Sequence, residues 1–237
     1  MKTFKMVGTA VVAMMFVVAV AGADTSVTIQ ASSGDLSASH EFTITCNDGI
    51  ADWSLDGPMD LMADDVLLGT ITELCLQSDA DPYVNLFFAV QAGAADTTFD
   101  VSSGVVSFFP LMDVSGYASA GVTLTSDADG ATITGLFGGD TYEARYNSTS
   151  VFADLVAGYT IGGDVSVTNS DRYPATDYTP IAGNVSSIES EFKFTLSALD
   201  QASGTSRFEI IGVGVPEPAT MSLLALGGLA LLRRRRS

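Results

Sequence analysis

Between its two ends the chain is predicted to be all-β, as an antiparallel β-sandwich of jelly-roll-like type. Short runs rich in Val, Ile, Thr, Phe and Tyr alternate with clusters of Gly, Asp, Asn, Ser and Pro, a composition typical of strands and turns. Apolar and polar residues alternate with a period of two, for example in His40–Cys46 and Ser190–Leu196. No stretch of this region has a convincing apolar stripe of helical period with caps, so neither crossover helices nor a parallel sheet is expected.

The pattern predicts about eleven or twelve short strands. Turn sequences such as Asn47–Gly49, Asp127–Gly130 and Gly162–Asp164 favour reversals between them. Leu199–Ser203 is predicted to form a single helical turn. The best candidate strands are, in chain order, His40–Cys46, Asp65–Gln77, Val84–Val90, Thr98–Phe109, Gly121–Ser126, Ala131–Phe137, Thr141–Tyr146, Ser150–Val156, Asp164–Thr168, Ser190–Leu196 and Arg207–Ile210.

The first 23 residues have the pattern of a secretory signal peptide. Lys2 and Lys5 give a basic start, and Met6–Val20 is an apolar segment. Ala21 and Ala23 flank Gly22 as an A-x-A cleavage site, so cleavage after Ala23 is expected. An uncleaved N-terminal membrane helix is the alternative.

The last 23 residues, 215–237, combine three features in order. Pro216, Glu217 and Pro218 form a triplet that is expected to be extended, because each proline fixes its own φ and lacks an N–H. The uncharged run Ala219–Leu232 follows and is predicted to enter lipid as a short transmembrane helix. Its 14 residues would span about 21 Å, which is short of a hydrocarbon core of about 30 Å. Four arginines resist translocation and close the chain: Arg233, Arg234, Arg235 and Arg236.

This tail resembles the PEP-CTERM sorting signal of Gram-negative bacteria. The resemblance implies that an integral-membrane exosortase recognises the tail and processes the protein near the triplet. It also implies transient insertion of the tail into the membrane, and a final location on the cell surface or outside the cell, often alongside exopolysaccharide production. A plain tail anchor behind a proline-containing linker is the alternative. Residues 135–213 are similar to the region preceding the tail in exported PEP-CTERM proteins of planctomycete-like bacteria, which implies an all-β exported domain over residues 24–214.

The exported region is strongly acidic. Between Asp24 and Pro218 there are four basic residues against 28 acidic ones, which gives a formal charge of −24. Such a surface repels phosphates, so nucleic acid is excluded as a partner. It suits an extracellular protein and is compatible with the gathering of divalent cations.

The two cysteines, Cys46 and Cys75, both lie in the exported region. In an oxidising compartment a disulfide between them is expected, closing a loop of about 30 residues and stabilising the fold by about 3–4 kcal/mol. Free buried thiols are the alternative. Two cysteines and one histidine do not make a Cys/His zinc site unaided.

No catalytic set is evident, so the chain is expected not to be an enzyme. Nucleophilic catalysis needs a histidine base, and His40, the single histidine, is predicted to be structural on a strand. Glu189 and Glu191 form a carboxylate pair of the kind that hydrolyses glycosides, but they share the polar face of one strand and are interpreted as a solvated edge.

Two weaker binding hypotheses remain. Asp127 and Asp129 place two carboxylates in one turn, which suits calcium as a cofactor, although aspartate as a turn former explains them equally. Aromatic residues could stack on sugars, although core packing would also account for them: Trp53, Tyr142, Tyr146, Tyr159, Tyr173 and Tyr178.

The sequence therefore predicts a non-enzymatic exported protein of the cell surface or extracellular matrix, with an exosortase as its sorting partner. A carbohydrate-binding module of an exopolysaccharide matrix is the second hypothesis. A secreted hydrolase is the third.

Overall fold

The computed structural model describes residues 24–47, 49–79 and 82–214. Within these ranges the ordered elements are strands, every pairing between them is antiparallel, and no helix has the length and apolar character needed to cross a membrane. The all-β antiparallel prediction is confirmed. The strands are β1 Thr25–Ser33, β2 Leu36–Ile44, β3 Ile50–Ser54, β4 Met59–Ala63, β5 Val66–Asp79, β6 Tyr83–Ala92, β7 Thr97–Ser102, β8 Val106–Thr125, β9 Ala131–Gly135, β10 Asp140–Tyr146, β11 Ser150–Ala157, β12 Tyr159–Ile161, β13 Ser166–Tyr173, β14 Thr179–Pro180, β15 Val185–Leu196 and β16 Gln201–Gly214.

The strands pair in the order β2-β1-β7-β15-β8-β16-β6-β5-β3, with the shorter strands attached at the sides. The longest strand, β8, connects the two halves of this sheet. Its first part pairs with β15, and its longer second part lies between β16 and β13. The sheet folds back on itself there, so the halves face each other as two layers.

The core lies between these layers and is built around aromatic rings. Phe88 on β6 contacts Phe192 and Phe194 on β15, at centroid distances of 4.9 and 5.6 Å. Tyr142 on β10 packs on Phe192 at 4.9 Å. These rings are fully buried, and rings at such distances add packing energy beyond the area they bury. The period-two pattern thus produces a sandwich, because alternate side chains of both layers point to one shared core.

The structure has more strands than predicted, and some boundaries differ. The predicted strand Thr98–Phe109 is two strands, β7 and β8, separated at Gly104, whose φ is +62°. A side chain at Gly104 would come within 2.7 Å of the Ser26 hydroxyl, so glycine permits this break. The helical turn predicted at Leu199–Ser203 is wrong: Leu199 lies in a tight turn with φ of +65°, and β16 begins at Gln201.

The structure contains two free thiols in place of the predicted disulfide. Cys46 follows the end of β2 and packs against the core. Cys75 lies on β5 between the buried Leu74 and Leu76, so alternation turns its side chain to the outer face. Burial is the main factor that raises the pKa of both thiols.

Candidate functional site

A groove of about 990 Å³ runs over the outer face of the sheet, across β5, β6, β16, β8 and β13. These strands are consecutive neighbours. At about 4.8 Å per strand spacing, the groove crosses about 19 Å of sheet. We take this groove as the candidate binding site.

Strand register aligns the polar residues of the groove into one row. Gln77 lies opposite Asn85, and Asn85 lies opposite Arg207. Arg207 lies opposite Ser119, which in turn lies opposite Arg172. We call these five residues the polar row. Because directly opposite residues project from the same face of a sheet, the row presents amide, guanidinium and hydroxyl groups along one line across the strands.

A second row beside it forms the floor. Cys75 is opposite Phe87, Phe87 is opposite Thr205, and Thr205 is opposite Gly121, which pairs with Ser170. Gly121 has no side chain, and the nearest atom to a Cβ there would be that of Ser170 at 3.5 Å. The groove is therefore deepest at Gly121, and Phe87 is the one aromatic residue of this second row.

Hydrogen bonds connect the polar row. Gln77 donates to Asp52 at 3.4 Å, Asn85 donates to Gln77 at 3.5 Å, and Arg207 donates to Asn85 at 3.4 Å. Bonds this long are weak, so the amides can exchange them for a ligand. Arg207 is fixed more firmly at its other side, where its Nε donates to Glu209 at 2.8 Å.

The two arginines of the row lie over tyrosine rings. Arg207 is 4.7 Å from the centroid of Tyr83, and Arg172 is 4.7 Å from that of Tyr117, both within cation–π range. Tyr178 contacts Tyr117 edge-on at 5.1 Å and donates its hydroxyl proton to Glu209 at 2.6 Å. This bond is the main cause that raises the pKa of Tyr178 to about 12.

The aromatic platform predicted for sugar stacking is not one surface. Tyr142 is fully buried, its hydroxyl lies 2.8 Å from that of Ser190, and burial raises its pKa to about 12. Tyr146 and Tyr159 pack against the core. Trp53 also packs against the core and contacts Phe42 at 4.9 Å. Tyr173 lies against Phe152 at 5.5 Å.

None of the predicted aromatic residues lines the groove, but Tyr178 contacts Tyr117, over which Arg172 of the polar row lies. Sequence reasoning missed Tyr83, Tyr117, Gln77 and Asn85, because their alignment depends on strand register. Polar residues at alternate positions of β5 and β6 are the sequence feature that could have identified the groove residues of these strands.

Glu189 and Glu191 do not form a solvated edge. Their strand, β15, is central and pairs with β7, β8, β9 and β10. Both carboxylates converge on Arg145 of β10, which also contacts Glu143 at 3.2 Å. The single guanidinium offsets part of the charge of these three carboxylates, and this partial compensation is the structural role we assign to it.

Asp127 and Asp129 lie together in the exposed turn after β8. The backbone N–H of Asp129 donates to the Asp127 carboxylate at 3.2 Å. A hydrogen bond between the two side chains lowers the pKa of Asp127 and raises the pKa of Asp129. In the described part of the chain, no group of three or more His, Cys, Asp or Glu side chains is arranged to hold a metal ion. Calcium at this turn stays a prediction.

His40 is exposed on β2. It shares a strand face with Phe42 and with the buried Ile44. It is the single histidine of the chain.

The residues after β16 carry a sequence motif that bears on function. Residues 214–236 match the PEP-CTERM protein-sorting motif. The motif supports export of the chain and sorting through its membrane tail by an exosortase. The predicted sorting residues Pro216, Glu217 and Pro218, the arginine cluster Arg233–Arg236 and the cleavage residues Ala21 and Ala23 lie outside the described residues.

No curated protein is significantly similar to the chain. The chain has a distant likeness to solved structures, of which two viral ones are examples. The structure of infectious bursal disease virus Gx strain has 11% identity and a TM-score of 0.29, over 81% of this chain and 56% of the viral chain. The Gt strain structure has 11% identity and a TM-score of 0.23, over 91% and 73%. The chain thus spans little more than half the length of the first of these structures.

Proposed function

We propose that this chain is a non-enzymatic protein of the cell surface or extracellular matrix, delivered through its PEP-CTERM tail. The sorting motif over residues 214–236 carries this proposal. The acidic exported region supports it, because a formal charge of −24 keeps a protein soluble and disfavours association with polyanions. The ion pairs that Glu189 and Glu191 form with Arg145 and the exposed position of His40 on β2 favour a role without catalysis.

Mass spectrometry of the protein from a host with an exosortase tests the delivery step. The mature chain is expected to begin at Asp24 and to end near Pro218, without Arg233–Arg236. Replacing Pro216, Glu217 and Pro218 together by alanine should leave signal-peptide removal unchanged and abolish loss of the tail. A released wild-type protein that retains the four arginines would contradict processing.

The polar row supports a second candidate function, the binding of an extended glycan in the groove. Sugar hydroxyls both donate and accept hydrogen bonds, and the amides of Gln77 and Asn85 do the same. The guanidinium groups of Arg172 and Arg207 add donors, and the Phe87 ring offers an apolar surface to a sugar face. A row that crosses five strands suits a linear polymer.

Affinity measurements of the full chain against a panel of soluble polysaccharides test this candidate. Asn85→Ala should weaken binding about 10-fold, equivalent to about 1.4 kcal/mol, because it removes two hydrogen-bonding groups from the row. Asn169→Ala is the matched control, since Asn169 is exposed on β13 and does not line the groove. Equal effects of the two substitutions, or no binding to any polymer, would count against a glycan site.

A further inference from the structure

An apolar patch lies where the sorting tail leaves the domain. Its residues are on β8 and at the end of β16, and Met112 pairs directly with Val213. Phe109 lies three residues before Met112 on the same strand, and Ile211 lies two residues before Val213. We call these four residues the tail-exit patch, and their exposed fractions are 48% for Phe109, 37% for Met112, 49% for Ile211 and 61% for Val213.

This patch differs from the rest of the domain surface. Asp113 is the single charged residue between positions 105 and 115, and residues 210–214 carry no charge. The exported region as a whole has a formal charge of −24. Exposed apolar side chains on neighbouring segments of β8 and β16, which carry Asp113 as their single charge, indicate an interaction surface.

The chain length beyond the patch determines what can cover it. β16 ends at Gly214, and the four residues from Val215 to Pro218 separate it from the apolar run that begins at Ala219. Even fully extended, this linker reaches at most about 18 Å. When the apolar run is in a bilayer, the patch is therefore held close to the membrane surface. This step rests on sorting through the tail.

We propose that the tail-exit patch rests in the interfacial layer of the lipid bilayer while the tail is inserted. Phe, Met, Ile and Val side chains bury favourably at the boundary between headgroups and acyl chains. The contact holds the domain against the membrane and keeps the Pro216–Pro218 triplet at the membrane surface, where an integral-membrane protease reaches it.

Tryptophan quenching by brominated lipids tests the proposal. The full chain carrying Phe109→Trp is reconstituted in vesicles of zwitterionic lipid brominated on the acyl chains, and the signal of the native Trp53 is subtracted. Insertion of the tail is verified separately by protection of Arg233–Arg236 from external trypsin. We expect at least about a twofold loss of emission from the reporter at position 109, because interfacial side chains sit about 5–10 Å into the headgroup and acyl boundary.

Val66→Trp is the matched control. Val66 is 47% exposed at the start of β5, near Gln91 and Gln201 at the opposite end of β16 from Gly214, and should show no quenching. Val213→Trp provides a second reporter in the patch, so the proposal does not depend on one variant folding. If the tail is protected from trypsin but the reporters at positions 109 and 213 are both unquenched, the inference about the patch is wrong. Sorting through the tail would not be contradicted by that result.

Two other outcomes also contradict the proposal. Quenching that requires added exosortase would assign the patch to the enzyme instead of the lipid. If the tail is never protected from trypsin, it does not insert into the membrane, and the inference about the patch is then wrong as well.

Discussion

Glu209 is the residue that joins the groove to its aromatic border. It accepts hydrogen bonds from Arg207 within β16 and from Tyr178 in the segment before β14. Partial burial raises the pKa of its carboxyl, but the hydrogen bonds from Tyr178 and Arg207 outweigh burial and the net pKa is lowered. Glu209 therefore stabilises the fold in its charged form.

Tyr178→Phe is expected to lower the free energy of unfolding by about 1 kcal/mol at neutral pH, since it removes a hydrogen bond to a charged group at a partly exposed position. A lowered carboxyl pKa contributes stability above its ordinary value of 4.5, which is lost as the pH falls through the lowered pKa. The raised phenol pKa contributes stability below 10, which is lost as the pH rises towards about 12. The difference between wild type and variant should therefore be largest between pH 4.5 and 10.

Urea denaturation at several pH values measures this difference. Tyr173→Phe is the control, because Tyr173 is also a half-exposed tyrosine but its ring contacts Phe152 instead of a carboxylate. A difference that is constant from about pH 3 to about pH 11 would contradict the role of the Tyr178–Glu209 hydrogen bond.

The two cysteines are expected to react as thiols. Thiol titration in denaturant should find two per chain, since the structure leaves Cys46 and Cys75 unbonded. In the native state, alkylation at about pH 8 should be slow, because burial raises both pKa values above the ordinary 9.0 and the thiolate is the reactive form. If the unreduced protein had a mass lower by two hydrogens, this would instead show that the two cysteines form a disulfide.

At the scale of elements, β16 leaves room for a core ring of its neighbouring strand. It lies between β6 and β8, and its Gly204 is directly opposite Phe88 of β6, whose ring lies over the glycine in the core. A Cβ at position 204 would lie 2.3 Å from the Cε1 atom of Phe88. Because Phe88 is itself packed against Phe192 and Phe194, its ring has no free space into which to move.

Gly204→Ala is therefore expected to destabilise the protein by about 1–3 kcal/mol, the usual cost of overpacking a core. Gly162→Ala is the matched control: its φ is not in the left-handed region, and a Cβ there meets no atom within 4 Å. Chemical denaturation of both variants measures the effect. Equal stabilities would show that the Phe88 ring can shift to admit a methyl group.

At the scale of the whole molecule, net charge opposes folding. The exported region concentrates its 28 acidic residues in fewer than 200 positions, and few are compensated, because it contains only four basic residues. Repulsion of this kind destabilises the compact state and is screened by salt.

Raising NaCl from about 20 mM to about 500 mM is therefore expected to raise the melting temperature, because the Debye length then falls from above about 20 Å to below about 5 Å. Calcium chloride at matched ionic strength should give the same melting temperature if screening is the whole effect. A larger rise with calcium, removed by Asp129→Asn, would instead demonstrate a site at the Asp127–Asp129 turn.

By itself, the sequence determined the sorting signal and the fold class. Targeting signals are read as linear segments, so the PEP-CTERM tail was identifiable residue by residue. The all-β antiparallel class followed from the period of two, because alternation is a local property of each strand. The formal charge of the exported region followed from the numbers of acidic and basic residues.

Only the tertiary structure decided which residues meet. The polar row unites residues that lie up to 130 positions apart, from Gln77 to Arg207, and its alignment depends on the register of four strand pairings. A shift of one residue would turn each side chain to the opposite face. The same long-range pairing made β15 central, buried Tyr142 and left Cys46 and Cys75 unbonded. It also brought Met112 beside Val213 at the exit of the tail, because strand pairing is set by packing across the whole sandwich and not by the local sequence of either strand.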